Sequence, residues 1–219
     1  MISIITRCYN RLEYTIQTLN NVRITADMDY EHIIVDQAST DGTHEWFLWI
    51  SKNISWYKNI KYIRLEKNLG DWGGMVEGYN YINDNSKYIV QLDNDRIIEC
   101  NDWMSSMVYV LKNTSYKIVM LHRNFVEDKW KLKSIGQKQI INKLEIAKIE
   151  RAVGCFMMER ELFGKALRYV KNSNISKYQL SRFVKGQVAK ILNRYFYEID
   201  TYEQRIKYNP KNRQVWSKL

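Results

Sequence analysis

Two periodicities alternate through the first hundred residues. Short, largely β-branched apolar runs at residues 2–6, 32–35, 61–65 and 87–92 predict strands. Apolar runs of this length bounded by polar turns suit a sheet buried on both faces. Between them the apolar positions shift to three- and four-residue steps. Leu12, Ile16, Leu19 and Val22 make one helical stripe, with Asn10 placed to cap it. Trp46, Phe47 and Ile50 make a second after Thr43. Met75, Val76, Tyr79 and Ile82 make a third, after the turn-like stretch KNLGDWGG. Strand and helix in alternation predict an α/β, Rossmann-like, mostly parallel sheet with helices on both faces.

The second half is patterned differently. Residues 103–111 predict a helix and 117–121 a strand. Residues 122–149 alternate over short distances and predict strands or a hairpin turning near Ile135 and Gly136. VGCFMMERELF predicts a buried strand running into a helix. A helix is expected from residue 176 to about 194, and a strand over 195–199.

Ligands of doubly wound sheets bind beyond the carboxyl ends of the strands. Thr6, Arg7, Asp36, Gln37, Asn68, Asp93 and Asp95 fall just past successive predicted strands and are expected on one rim. The stretch VQLDNDRII, residues 90–98, sets two carboxylates one residue apart. In extended chain i and i+2 face the same way, so Asp93 and Asp95 would address one spot. Such a pair shares a proton, holds a hard divalent cation, or forms a surface turn. The strand-end position favours the cation. In VDQASTDGT, Asp36 can accept from a base or ribose hydroxyl, and Asp41 can hold the loop. Gly70, Gly73 and Gly74 allow close backbone approach to a ligand before a helix N-terminus. Neither GxGxxG nor GxxxxGK[ST] is present. Trp72 is either a stacking surface for a base or a core plug.

Composition narrows the classes. A hydrophobic fraction of 45% with 13% aromatics excludes a disordered chain. Three cysteines without a CxxC pair suit a reducing cytoplasm and make a cysteine zinc site unexpected. No apolar run approaches the ~18 residues of a membrane span, and MISIITRCYN reads as a strand, not a signal peptide. Residues 1–100 hold 10 Lys and Arg against 14 Asp and Glu, whereas residues 101–219 hold 24 against 10. The acidic half suits a cation. The basic half suits an anionic substrate or peripheral contact with the anionic inner face of a membrane, unless the lysines merely reflect an AT-rich coding bias. No nucleic-acid-binding motif accompanies the charge, so nucleic acid is not an expected partner. His32, His44 and His122 lack metal spacing and read as structural. Tyr195, Phe196, Tyr197 and Tyr202 read as core before sugar platform.

SIITRCYNR, IIVDQASTDGT, NLGDWGG, LDNDRII and GCFMMERELF, in that order, resemble glycosyltransferase family 2, inverting enzymes of GT-A fold that use nucleotide sugars. The resemblance is continuous over about the first hundred residues and patchy to about residue 165. It implies metal-dependent transfer of a sugar from a UDP, GDP or dTDP donor to a hydroxyl of a glycan or lipid-linked acceptor, in bacterial or viral surface glycan synthesis. Residues 1–100 would form the donor half, 101–200 an elaborated acceptor-binding half, and 201–219 a basic tail. The resemblance assigns donor contacts to Thr6, Arg7, Asp36, Asn68, Gly70, Asp71, Asp93 and Asn94. It assigns Mn²⁺ or Mg²⁺ to Asp93 and Asp95, with Asp95 the more direct ligand. Inversion also needs a general base. Here the chain departs from the family, with no Asp or Glu between Phe163 and Tyr197, where Gln179 stands instead. Glu198 and Asp200 are the remaining candidates, either as base or as a late metal ligand. That gap carries the alternative of a catalytically weak or inactive nucleotide-sugar-binding protein.

Overall fold

The computed structural model describes residues 1–123, 134–173 and 183–199. Four strands of the first half, β1 (Ile2–Cys8), β2 (Tyr30–Asp36), β3 (Ile60–Arg64) and β4 (Tyr88–Leu92), pair in parallel in the order β3-β2-β1-β4. Helices α1 (Leu12–Thr25), α2 (Thr43–Asn53) and α3 (Gly70–Tyr79) make the crossovers. β1 and β2 are apolar on both faces because helices cover both, and Ile4, Ile5, Ile33, Ile34 and Val35 are wholly buried.

The same sheet continues through the second half. Beyond β4 come β9 (Cys155–Glu159), β6 (Ile118–Arg123), β10 (Val188–Glu198), β8 (Leu144–Ile149) and β7 (Ser134–Ile141). β9 is antiparallel to both β4 and β6, and β10 is parallel to β6. The short β5 (Arg96–Ile98) pairs only with the far end of β10, antiparallel. Helices α4 (Trp103–Asn113) and α5 (Arg160–Ser173) complete the described elements, with Trp103, Met104, Met107 and Val110 buried from α4. Among the described residues no helix is long and apolar enough to cross a membrane.

Two expectations for the second half need correction. Residues 188–194 are strand, not helix. β10 is drawn into the middle of the sheet between β6 and β8, and that ladder overrides local propensity. The hairpin of β7 and β8 turns at Asn142 and Lys143, both left-handed, while Gly136 sits at a register shift within β7.

α3 lies flat on β1 and β2 because Gly78 has no side chain. A Cβ there would come within 2.5 Å of Ile5 Cγ2 and 3.0 Å of Val35 Cγ2. This close seat sets the height at which the start of α3 meets the strand ends.

His32 is enclosed in β2 and hydrogen-bonded through Nε2 to Thr6 Oγ1 at 2.8 Å. Burial lowers its pKa from an ordinary 6.5 to about 3. Between these values the unfolded chain takes up a proton that the folded chain refuses, so stability falls as pH falls. Unfolding free energies from urea titrations should therefore drop from pH 6.5 downward, by up to ~1.4 kcal/mol per pH unit. His32→Gln should flatten the curve between pH 6.5 and 4.5; an unchanged slope would show that His32 is not its source.

Candidate active site

The carboxyl ends of β1, β2 and β4 frame a cleft of about 310 Å³, lined by Arg7, Tyr9, Arg11, Asn68, Gly70, Asp71 and the Asp93–Arg96 segment, among others. The loops after β1 and β2 are tied to each other. The Asn10 N–H donates to Ser39 Oγ, the Thr40 N–H to Asn10 Oδ1 and the Leu12 N–H to Asp41 Oδ2, each at 2.8 Å. The cap of α1 is therefore Asp41, from the other loop, and not Asn10, whose backbone is left-handed at φ 58°. Partial burial disfavours the Asp41 charge, but hydrogen bonds from Thr43 and the Leu12 N–H outweigh it and hold the carboxyl below its ordinary range.

The start of α3 is capped from within. The Leu69 N–H donates to Gln37 Oε1 and the Gly70 N–H to Asn68 Oδ1, so these two amides are already occupied. Gly74 approaches Arg7 and Gln37, not the open cleft. Trp72 packs half-buried against the core, which makes it a plug.

Arg7 joins the start of α3 to the acidic segment. Its Nη1 meets Asp71 through the carbonyl at 2.9 Å and Oδ1 at 2.8 Å, while Nη2 donates to Asp93 Oδ1 at 2.8 Å. Asp93 Oδ1 also accepts from Gln91 Nε2, and Asp93 Oδ2 from Arg96 Nη2. Asp95 is less engaged. Arg11 reaches Oδ2 at 3.4 Å, and Arg96 Nη1 lies 2.6 Å from Oδ1 but out of line, so that buried oxygen has a charge partner yet accepts no hydrogen bond. Burial raises the Asp95 pKa; Arg96 opposes the shift, and the Asp93 and Glu198 charges add to it. Glu198 sits opposite Arg96 in the β5–β10 register, 3.2 Å from Arg96 Nη1, and also meets Arg123.

The acidic segment is held on its other side by α1. Asn94 Nδ2 donates to Thr15 Oγ1, and the Arg96 N–H donates to Thr18 Oγ1. Asn21 brackets Ile98, its Oδ1 accepting from the N–H and its Nδ2 donating to the carbonyl. The polar stripe Thr15, Thr18 and Asn21 is buried for this reason, whereas the apolar stripe used to recognise α1 leaves Leu12 and Ile16 half-exposed.

The chemistry of the acidic pair fits a divalent ion. Mg²⁺ and Mn²⁺ take hard oxygen ligands and use one or two carboxylates with substrate phosphates to complete the shell. Asp95 Oδ1, buried and accepting no hydrogen bond, is an oxygen of the kind such an ion takes. No group of three His, Cys, Asp or Glu among the described residues forms a cage by itself.

The structure brings Arg7, Asn68, Gly70, Asp71, Asp93, Asn94 and Asp95 to one cleft. Thr6 and Asp36, expected to contact the donor, are wholly buried and do not line it. Thr6 is turned to His32. Asp36 is wholly buried and accepts from the Ser39 N–H at 2.8 Å, Tyr62 Oη at 2.6 Å and Arg64 Nη1 at 2.8 Å. Glu198 stands behind the acidic segment and does not line the cleft; Asp200 lies outside the described residues. Glu159 is remote, because antiparallel β9 sets it beside Tyr88, at the opposite end of β4 from Asp93. Sequence reasoning assigned no role to Tyr9, Arg11 or Arg96. The signal for Arg96 was its position directly after the two aspartates.

The profile of Glycosyl transferase family 2 matches residues 3–167. The chain belongs to glycosyl transferase family 2. A search of curated proteins finds no match. Among solved structures this family 2 chain is similar to the mannosyltransferase PcManGT from Pyrobaculum calidifontis in complex with GDP-Man and Mn²⁺. That match has 15% identity and a TM-score of 0.68, over 90% of this chain and 56% of the other. It is also similar to S. aureus TarS 1-349 in complex with UDP-GlcNAc (16% identity, TM-score 0.63, 90% and 58% coverage). GalNAc-T7 with UDP, GalNAc and Mn²⁺ matches at 12% identity and TM-score 0.69, with 90% and 43% coverage. At these identities the likeness establishes the GT-A fold. The chain spans about half the length of these proteins.

Proposed function

We propose that this family 2 chain transfers a sugar from a nucleoside-diphosphate sugar to an acceptor hydroxyl, with inversion and with a divalent metal. The observation that carries the reading is the convergence of Asp93, Asp95, Arg7 and the start of α3 on one cleft at the strand ends. Asp95, with Asp93, would hold the ion, whose charge offsets that of the departing diphosphate. Arg11 and Arg7 present guanidinium groups to the same cleft and suit phosphate oxygens. Tyr9, 51% exposed, offers a ring face to the base. Asp36 acts at one remove, fixing Arg64 and Tyr62 beside the loop that follows β2. Asp200 is the proposed proton acceptor, since it directly follows Ile199, whose N–H donates to the Asp95 carbonyl at 3.0 Å. Glu198 is engaged by Arg96 and Arg123 instead. A glycan or lipid-linked acceptor is proposed for the basic second half, with peripheral contact at an anionic membrane as the setting.

Calorimetric titration with UDP, GDP and dTDP, each with Mn²⁺ and with EDTA, tests the donor half of the proposal. One nucleotide should bind in the presence of Mn²⁺ and lose most of its affinity with EDTA. The reading fails if none binds in either condition. Binding with no transfer from any corresponding sugar donor would favour the inactive, nucleotide-sugar-binding alternative.

A further inference from the structure

We propose that Arg96 is a built-in counter-ion of the acidic pair, which a divalent cation must displace, so that nucleotide and metal load together. The inference rests on the donor-site reading above and concerns how that site is kept before loading.

The guanidinium of Arg96 has a cradle of its own. Nη2 lies 2.8 Å from Asp93 Oδ2, and Nη1 lies 2.6 Å from Asp95 Oδ1 and 3.2 Å from Glu198 Oε1. Its Cζ stands over the Phe196 ring, 5.7 Å from the centroid. Room beside it exists because residue 154 is glycine. A Cβ there would lie 2.9 Å from Arg96 Nε and 2.8 Å from the Phe196 ring, and the backbone is left-handed at φ 75°. Three acidic side chains, two from the turn between β4 and β5 and one from β10, therefore converge on one monocation, whose side chain is only 8% exposed.

A metal and this guanidinium compete for the same oxygens. A divalent ion bound at about 2.1 Å from a carboxylate oxygen leaves no room for a cationic nitrogen to keep its own close approach there. Loading therefore breaks the contact between Arg96 and Asp95, and a metal alone supplies no new anion in its place, leaving the guanidinium with Asp93 Oδ2 and Glu198. A nucleoside diphosphate does, because Arg96 borders the cleft and guanidinium pairs well with phosphate oxygens. The arginine thus opposes metal without nucleotide and stops opposing it once nucleotide is present. Coupling of this kind is reciprocal, so metal should favour nucleotide to the same degree.

The test is Mn²⁺ binding to the full chain, followed by electron paramagnetic resonance of free Mn²⁺, with and without the nucleotide that the calorimetry selects. Wild type should bind Mn²⁺ weakly alone and more tightly with nucleotide. Arg96→Gln, which removes the competing charge beside the carboxylates, should bind Mn²⁺ alone about tenfold more tightly than wild type. It should also lose most of the enhancement by nucleotide. Because Arg96→Gln removes a buried counter-ion, its thermal midpoint is measured with and without Mn²⁺, and the rise on adding Mn²⁺ should exceed that of wild type. Arg96→Lys keeps the charge without the fork and should fall between the two. Mn²⁺ affinity in both variants equal to or weaker than wild type would overturn the proposal. The titration with Mn²⁺ alone reads Arg96 even if no nucleotide binds, so failure of the donor reading and failure of this inference are distinguishable.

Discussion

Asp95→Asn will weaken binding of the Mn²⁺–nucleoside diphosphate pair about a hundredfold or more, while thermal unfolding stays close to that of wild type. The two halves of this expectation have separate causes. Affinity falls because the amide has no charge and offers one oxygen where the carboxylate offered two. Even residues that merely support a metal ligand change metal affinity 10- to 100-fold, so a direct ligand should do at least as much. Stability is spared because Asp95 supports little of the fold through its side chain. Its Oδ1 accepts no hydrogen bond, its Oδ2 meets only the exposed Arg11 at 3.4 Å, and Arg96 keeps Asp93 and Glu198. Asp93 would be a poorer probe, since its loss would take an acceptor from each of Arg7, Gln91 and Arg96. Calorimetry on Asp95→Asn beside a melting curve checks both halves. Undiminished affinity would remove Asp95 from the metal site.

Asp36→Ala reverses that balance and is expected to cost about 3 kcal/mol of stability. The Asp36 carboxylate is inaccessible to solvent, and all three of its hydrogen bonds come from groups that hold the loop after β2. Removing it leaves the Ser39 N–H and the Tyr62 hydroxyl without their acceptor and a guanidinium beside an apolar gap. Arg64 is one-third exposed and water recovers part of its loss, which keeps the figure at the lower end for a broken buried pair. Urea unfolding of Asp36→Ala and of Arg64→Met distinguishes the partners, and the aspartate should be the more costly. A loss below about 1 kcal/mol for Asp36→Ala would mean that the loop is held by other contacts.

These contrasting roles mark how far the sequence could be read. Strands β1, β2 and β4 were legible because burial on both faces leaves a largely apolar run that little else produces. The clustering of Arg7, Asn68, Asp93 and Asp95 followed from the topology, since strand ends of a parallel sheet share a rim, whereas Asp71 came from the resemblance. Whether an aspartate faces ligand or protein was not legible. Asp36 and Asp93 both end strands, and the difference lies in Tyr62 and Arg64, which approach only after β3 has paired with β2. β10 was misread because the strands it pairs with, β6 and β8, are distant in sequence. The cap of α1 was misassigned for a similar reason: Asp41 is 29 residues from Leu12.

The polar stripe on α1 has a consequence for the protein as a solute. β5 is three residues long and pairs with β10 alone, so its other edge would ordinarily present unpaired amides to solution. Edges of that kind recruit strands from neighbouring molecules and seed aggregates. Thr18 and Asn21 occupy the amides of Arg96 and Ile98, and Asn21 also covers the Ile98 carbonyl. A helix thus closes a sheet edge with side chains where another fold would use a strand, and the acidic segment stays open to small ligands without being adhesive to other chains.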